Sequence, residues 1–386
     1  MKIVIAIDSF KGSCSALQAC QAIASGIMRY RKDIGIYQLP IADGGEGLLQ
    51  ILDESPSLPG KVKRSLNVIG PYGQAIQAEY FSLEGQKTII EMAQACGLEL
   101  TPKAQRNASK ASSFGLGQLV RHALDEGSAH IIIGLGGSAT NDGGIGFAQA
   151  LGARFYDKDE RLIPTPACGE DLIRVARIDV SQLHPEASTV RFEASCDVNN
   201  PLLGSTGATW IYGPQKGANT AQLTELERGM ENYHRVLTQA LGRDVNSTPG
   251  AGAAGGMGAA LLWFTNATLR PGIELVLELL NAKKIISDAD LVITGEGKLD
   301  EQSSYGKAPV GVAALAAANN KPVIAIAGSL GEGAALLHQH HIDAMWSICP
   351  RPISLDDAMQ NAQALLADTA ESLIRTLTVG SRLSSQ

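Results

Sequence analysis

Aromatic side chains make up only 5% of this 386-residue sequence, so aliphatic residues must fill its interior. No stretch approaches the roughly 18 consecutive apolar residues of a membrane-spanning helix, which excludes an integral helical membrane protein. Cys14, Cys20, Cys96, Cys168, Cys196 and Cys349 show neither a C-x-x-C pair nor zinc-like spacing. They read as reduced packing residues of a cytoplasmic protein. The start "MKIVIAIDSFKGS" has too few apolar residues before Asp8 for a secretory signal. No lysine or arginine run forms a basic stripe, and the net charge is −7, so a nucleic-acid partner is not expected.

The common nucleotide and nucleophile motifs are also missing. There is no G-x-x-x-x-G-K-[ST], no H-R-D or D-F-G pair and no G-x-S-x-G. These absences exclude the P-loop, protein-kinase and α/β-hydrolase solutions.

What the chain does have is glycine, at 42 positions. Short β-branched runs end repeatedly in Gly, Asp or Ser: "KIVIAID" (2–8), "IYQLPIADGG" (36–45), "HIIIGLGG" (130–137), "DLVITGEG" (290–297) and "PVIAIAGS" (322–329). Most precede an Ala/Leu-rich segment of helical length, the pattern of a parallel sheet covered on both faces. Residues 61–95 instead break into three short runs split at "GPYG" and "EGQ", the signature of an antiparallel meander. "VRFEASCDV" and "ATWIYGPQKG" read as further strand-rich material, and 220–242 and 253–264 as long helices. The expected class is therefore α/β with two α/β domains. One is a Rossmann-like parallel sheet with helices on both faces (1–65 plus 285–386), and the other a mixed sheet inserted into it (66–284).

In sheets of this kind, ligands sit beyond the carboxyl ends of the strands, where the chemistry-bearing loops lie. "GLGGSATNDGG" (134–144) fits G-x-G-x-x-A at Gly134, Gly136 and Ala139, with Asp157 near the offset of a dinucleotide-binding acid. An NAD(P)-dependent oxidoreductase of a small hydroxy acid is thus an alternative. The match is devalued by a second one, "GAGAAG" (250–255), which no strand precedes. The same loop could hold any phosphate. Gly136 and Gly137 let backbone amides approach at a helix N-terminus, and Ser138, Thr140 and Asn141 offer polar side chains. Asp142 could ligate a metal or cap the helix.

Other strand ends carry Asp8, Ser9 and Lys11 ("DSFKGS"), Asp43 and Glu46 ("ADGGEG"), Asp197 and Asn199 ("SCDVNN"), and Glu296, Lys298 and Asp300 ("GEGKLD"), with Lys307 following. Gln215 and Lys216 occupy a glycine-flanked turn. Carboxylates beside cations suit nucleotide chemistry with Mg²⁺, whose oxygen ligands they supply while lysines neutralise phosphate charge.

Taken in order, these loops resemble the type-1 glycerate kinase family of bacteria. The matching stretches are "DSFKGS" (8–13), "ADGGEG" (42–47), "GLGGSATNDGG" (134–144), "SCDVNNPLLG" (195–204), "GPQKGA" (213–218), "GAGAAGGMGAAL" (250–261), "PGIELV" (271–276), "TGEGKLDEQS" (294–303) and "GKAPVGVA" (306–313). Ile7, Cys14 and Leu48 depart from the family's usual residues, beside rather than on the charged positions. The resemblance implies ATP-dependent, Mg²⁺-assisted phosphorylation of D-glycerate, typically at the 2-hydroxyl, in an interdomain cleft of a cytoplasmic enzyme; a homodimer is compatible with it. Within that expectation Asp197 orients the hydroxyl, while Lys11 and Lys216 face substrate and phosphoryl group. Asp43, Glu296 and Asp300 hold the metal. Asp8, Ser9, Gly136, Gly137, Ser138, Thr140, Asn141, Asn199, Gln215 and Lys307 bind substrate or phosphate.

Overall fold

A computed structural model describes the chain except residues 46, 56, 57, 59, 305, 385 and 386. Glu46 therefore lies outside the described residues. The chain divides into two compact units: Met1–Asp43 with Gln50–Ser57 and Ile273–Gln386, and Gly44–Leu49 with Leu58–Gly272.

The first unit is built on a five-stranded, all-parallel sheet. Its strands lie in the order Ala344–Ser347, Val323–Ala327, Leu291–Thr294, Lys2–Ile5, Gly35–Gln38. The three inner strands are near-continuous Val, Ile and Ala because helices cover both faces. Ala16–Tyr30 forms a helix because Ala16, Ala19, Cys20, Ile23 and Ile27 recur at helical spacing on its buried face. Ser15 and Gln18 start it with a reciprocal capping box. This helix lies directly on the C-terminal helix Ala362–Ser384: a Cβ at Gly26 would sit 2.0 Å from the carbonyl oxygen of Ala367.

The second unit holds a six-stranded mixed sheet in the order Thr268–Arg270, Arg191–Ser195, His130–Gly134, Lys87–Glu91, Ala75–Leu83, Val62–Ile69. The first four strands are mutually parallel, and the last three form the antiparallel meander. Its core is aliphatic with a few rings, among them Phe147, Phe155, Tyr233 and Trp263.

One segment differs from its sequence reading. "ATWIYGPQKG" contains no strand: Ala208–Tyr212 is a short helix, and Pro214–Lys216 a single 3₁₀ turn. The β-branched and aromatic run has strand propensity, but packing overrides it. A Cβ at Gly213 would lie 2.4 Å from the carbonyl oxygen of Thr209 and 2.3 Å from Leu223, so the chain can coil tightly there.

Candidate active site

In the first unit, the loops after three adjacent strands bring acids together. Asp8 follows the central strand Lys2–Ile5, and Asp43 and Glu296 follow its neighbours. The amide of Asp8 donates to the carbonyl of Gly295 at 3.0 Å, which pins the two loops side by side. Burial, then the charges of Asp43 and Glu296, push the Asp8 carboxyl up to about 7, although the Ser9 amide donates to it. Asp43 accepts the Ala308 amide at 2.7 Å, at the start of helix Ala308–Ala317. Glu296 accepts the Ser303 hydroxyl at 2.6 Å. Burial raises both carboxyls, and the Lys307 ammonium opposes this in each. Three acids and Lys307 thus form one electrostatic cluster.

Asp300 sits at the margin of this cluster: its charge raises Glu296 and the Lys307 charge acts on it in turn, but its direct partner is another lysine. Its carboxylate is paired with Lys298 Nζ at 2.8 Å and accepts the Gln302 amide at 3.0 Å; the Lys298 pairing holds it below the usual carboxylate range. Lys11 and Ser9 are exposed, Lys11 in the turn closed by the bridge between Phe10 and Cys14. Among the described residues, no set of three or more acid, histidine or cysteine side chains is arranged to hold a metal ion by itself.

In the second unit the glycine loop leaves the strand His130–Gly134, and a helix begins only at Ile145. That gap is incompatible with a dinucleotide fingerprint, where the helix starts within the glycine motif. It also corrects the expectation that Gly136 and Gly137 sit at a helix N-terminus. A Cβ at Gly134 would lie 2.8 and 2.9 Å from the carbonyl oxygens of Gly45 and Gly44, so the loop at Gly44 and Gly45 packs on this one. Buried Glu91 holds that loop, accepting the Leu48 amide at 2.6 Å. Glu91 was not a sequence candidate. Its signal, an acid closing a short apolar strand, was present.

Only Leu135, Gly136 and Gly137 remain partly exposed; residues 138–144 are buried. Thr140 and Asn141 are fully buried, so their side chains do not face a ligand as expected. The Asn141 amide reaches Thr209 Oγ1 at 3.2 Å. Of the two roles expected of Asp142, the structure shows capping: its carboxylate accepts the Gly144 and Gly146 amides at the start of the short helix Ile145–Ala150. It accepts the Ser113 amide and hydroxyl at 2.8 and 2.7 Å and the Gly144 amide at 3.1 Å.

Lys216, expected to face the substrate, points inward. It is 1% exposed and donates to the Ser138 hydroxyl at 3.0 Å and the Thr140 carbonyl at 2.6 Å. Gln215 beside it is exposed. On its other side the loop meets the second glycine-rich stretch. Ala254, Gly255 and Gly256 all have positive φ, at 54°, 72° and 90°, forming a left-handed turn that lets Gly255 press against Thr140. Asp197 and Asn199 lie exposed just after the strand Arg191–Ser195, and Asp197 accepts the Gly272 amide at 2.8 Å.

A profile of the glycerate kinase family matches residues 3–378. The chain belongs to the glycerate kinase family. A glycerate kinase of Halalkalibacterium halodurans is 48% identical over 373 residues, 96% of this chain and 97% of its own. The glycerate 2-kinase of Escherichia coli K12 is 44% identical over 383 residues, 99% of each. Among solved structures, that of a candidate glycerate kinase 2 from Salmonella typhimurium LT2 superposes with a TM-score of 0.86 at 44% identity, covering 99% of each chain. Membership of this family removes the oxidoreductase alternative. No helix among the described residues is long and apolar enough to cross a membrane.

Proposed function

We propose that this family member transfers the γ-phosphoryl group of ATP to the 2-hydroxyl of D-glycerate, giving 2-phosphoglycerate and ADP. The observation that carries the reading is the glycine loop at the carboxyl end of a central parallel strand. Its Gly136 and Gly137 backbone is accessible, and its polar side chains are turned inward. Such a surface recognises phosphate oxygens through backbone amides. The 44% identity to a glycerate 2-kinase supports both the substrate and the position phosphorylated.

In this reading the acceptor oxygen bonds to the γ-phosphorus as the bond to the β–γ bridging oxygen breaks, and ADP leaves with that electron pair. Asp197 orients the hydroxyl and takes its proton. Lys11 and Lys307 neutralise charge on substrate and phosphate; Asp8, Ser9, Asn199 and Gln215 complete the polar surroundings. Mg²⁺ keeps most of its water and binds through one or two carboxylates plus phosphates. Asp43 and Glu296 fit that demand, because the repulsion among the half-buried acids of their cluster would be relieved by a cation. Mg²⁺ there would supply charge neutralisation for the transferring group.

The test is incubation with Mg-ATP and D-glycerate, with products identified by ³¹P NMR. ADP and 2-phosphoglycerate in equal amounts are expected, and none when EDTA removes the metal. A 3-phosphoglycerate signal overturns the regiochemistry, and no phosphorylated product overturns the function.

A further inference from the structure

Among the described residues, no lysine or arginine other than Lys216 is buried. The local chain forces it inward. Pro214 opens the 3₁₀ turn, and Gly217 closes it at φ +90°. A Cβ on Gly217 would meet the Arg106 carbonyl oxygen at 2.3 Å, so the turn is pressed against its neighbour and Lys216 has only the interior to enter.

An ammonium taken out of water is costly unless a negative charge faces it. No carboxylate among the described residues pairs with Lys216. The nearby charged or titratable groups form no ion pair with it, although Glu227 Oε2 and the Tyr233 hydroxyl are themselves buried without a partner among the described residues. Asp142, the one that attracts Lys216, is bound by Ser113. Arg106 reaches Glu99 at 3.1 Å. Glu227, from the helix Thr220–Leu241, accepts the Gly204 amide at 2.7 Å. Cys96 and Tyr233 also feel Asp142, and burial holds both neutral. Lys216 therefore spends its N–H groups on neutral oxygens of one loop, the Ser138 hydroxyl and the Thr140 carbonyl. Beside them Thr140 Oγ1 and Asn141 Oδ1 are buried with no partner among the described residues. Asp142 attracts the Lys216 ammonium without pairing with it, and the loop that Lys216 supports is the one whose outer face suits an anion.

We propose that Lys216 is a positioning residue that completes its ion pair only when an anion sits on the Gly136–Gly137 face, so that the anion binds together with a proton. This rests on the reading of that loop as an anion site. Burial holds the Lys216 amine down at about 7, in keeping with an amine that lacks its proton above neutrality until an anion arrives. A ligand that selects the protonated form loses apparent affinity in proportion to the fraction protonated. KM for D-glycerate or for Mg-ATP, whichever anion occupies the loop, should rise about fivefold between pH 7 and 8, with kcat little changed.

The decisive measurement is calorimetric titration of the full chain with D-glycerate and with sulfate, in buffers of different ionisation enthalpy. Neither anion changes protonation at these pH values. Uptake of about one proton per anion is expected at pH 8, and close to none at pH 6. Lys216→Met should remove the uptake. Lys216→Arg, which stays charged, should flatten the pH profile of KM. Binding at pH 8 without proton uptake overturns the proposal even if neither variant folds, as does uptake that survives in Lys216→Met. If neither anion binds, the pH profile of KM decides. Absence of both binding and turnover overturns the underlying functional reading instead.

Discussion

Asp142 and Ser113 form a closed, fully buried pair: one carboxylate oxygen accepts both the amide and the hydroxyl of the serine, at 2.8 and 2.7 Å. The serine hydroxyl also receives the Phe147 amide at 2.9 Å, so the pair ties the glycine loop to the start of two helices. Asp142→Ala strands several buried donors at once. We expect a loss of about 3 kcal/mol in unfolding free energy, read from urea titration. A loss under about 1 kcal/mol would show that the loop is held by something else.

Gly255 tests the opposite side of the same loop. Its φ of +72° and the 2.0 Å approach of the Thr140 carbonyl oxygen to any added Cβ leave no room for alanine. Gly255→Ala should cost about 2 kcal/mol or more, from strain together with overpacking. Displacing Thr140 also disturbs Lys216, so KM should rise beyond what the thermal shift alone would bring. Wild-type stability with wild-type KM would contradict this contact.

The parallel strands were legible as short continuous β-branched runs, the meander from its turn residues, and the helix over 220–242 from its hydrophobic period. The segment read as a helix at 253–264 instead opens with non-helical backbone at Ala254–Gly256. The acids at the strand ends were legible too, since each follows a short β-branched run, and Asp43 and Glu296 have glycine beside them. What could not be read was orientation. Lys216, Thr140 and Asn141 are polar residues in a glycine loop, which composition assigns to solvent, yet tertiary packing turns them inward. Asp300 looks equivalent to Glu296 in "GEGKLD", but Lys298, two residues before it, captures its carboxylate. The left-handed turn at Ala254–Gly256 read in the sequence as a chance dinucleotide match, a family stretch and the start of a helix, although its glycines are needed for the close approach to Thr140.

The elevated Asp8 carboxyl fixes the sign of a pH effect. Its folded value of about 7 lies above the ordinary 3.8, so the folded state holds a proton that the unfolded state releases. The stability this provides is complete below pH 3.8 and is lost as pH rises through about 7. In metal-free buffer, wild type should therefore lose stability relative to Asp8→Asn across that interval, by at most about 4 kcal/mol. Added Mg²⁺ should narrow the difference by compensating the acid cluster. Parallel stability curves for the two proteins from pH 4 to 7 would mean that Asp8 ionises normally.

Two aspartates that look alike in sequence should separate in kinetics. Asp197 is exposed and fixed through the Gly272 amide at 2.8 Å. Asn retains a carbonyl oxygen for that amide but cannot take a proton from the acceptor hydroxyl. Asp197→Asn should therefore leave the thermal midpoint within a degree or so of wild type while kcat falls a hundredfold or more, the usual scale for losing a positioned base. Asp300 spends its charge on Lys298, half in solvent, where an ion pair contributes little. Asp300→Asn should accordingly change kcat by less than about threefold. Steady-state assays of both variants at saturating Mg-ATP distinguish the assignments: near-normal turnover in Asp197→Asn removes it from proton transfer, and a collapse in Asp300→Asn restores it as a metal ligand.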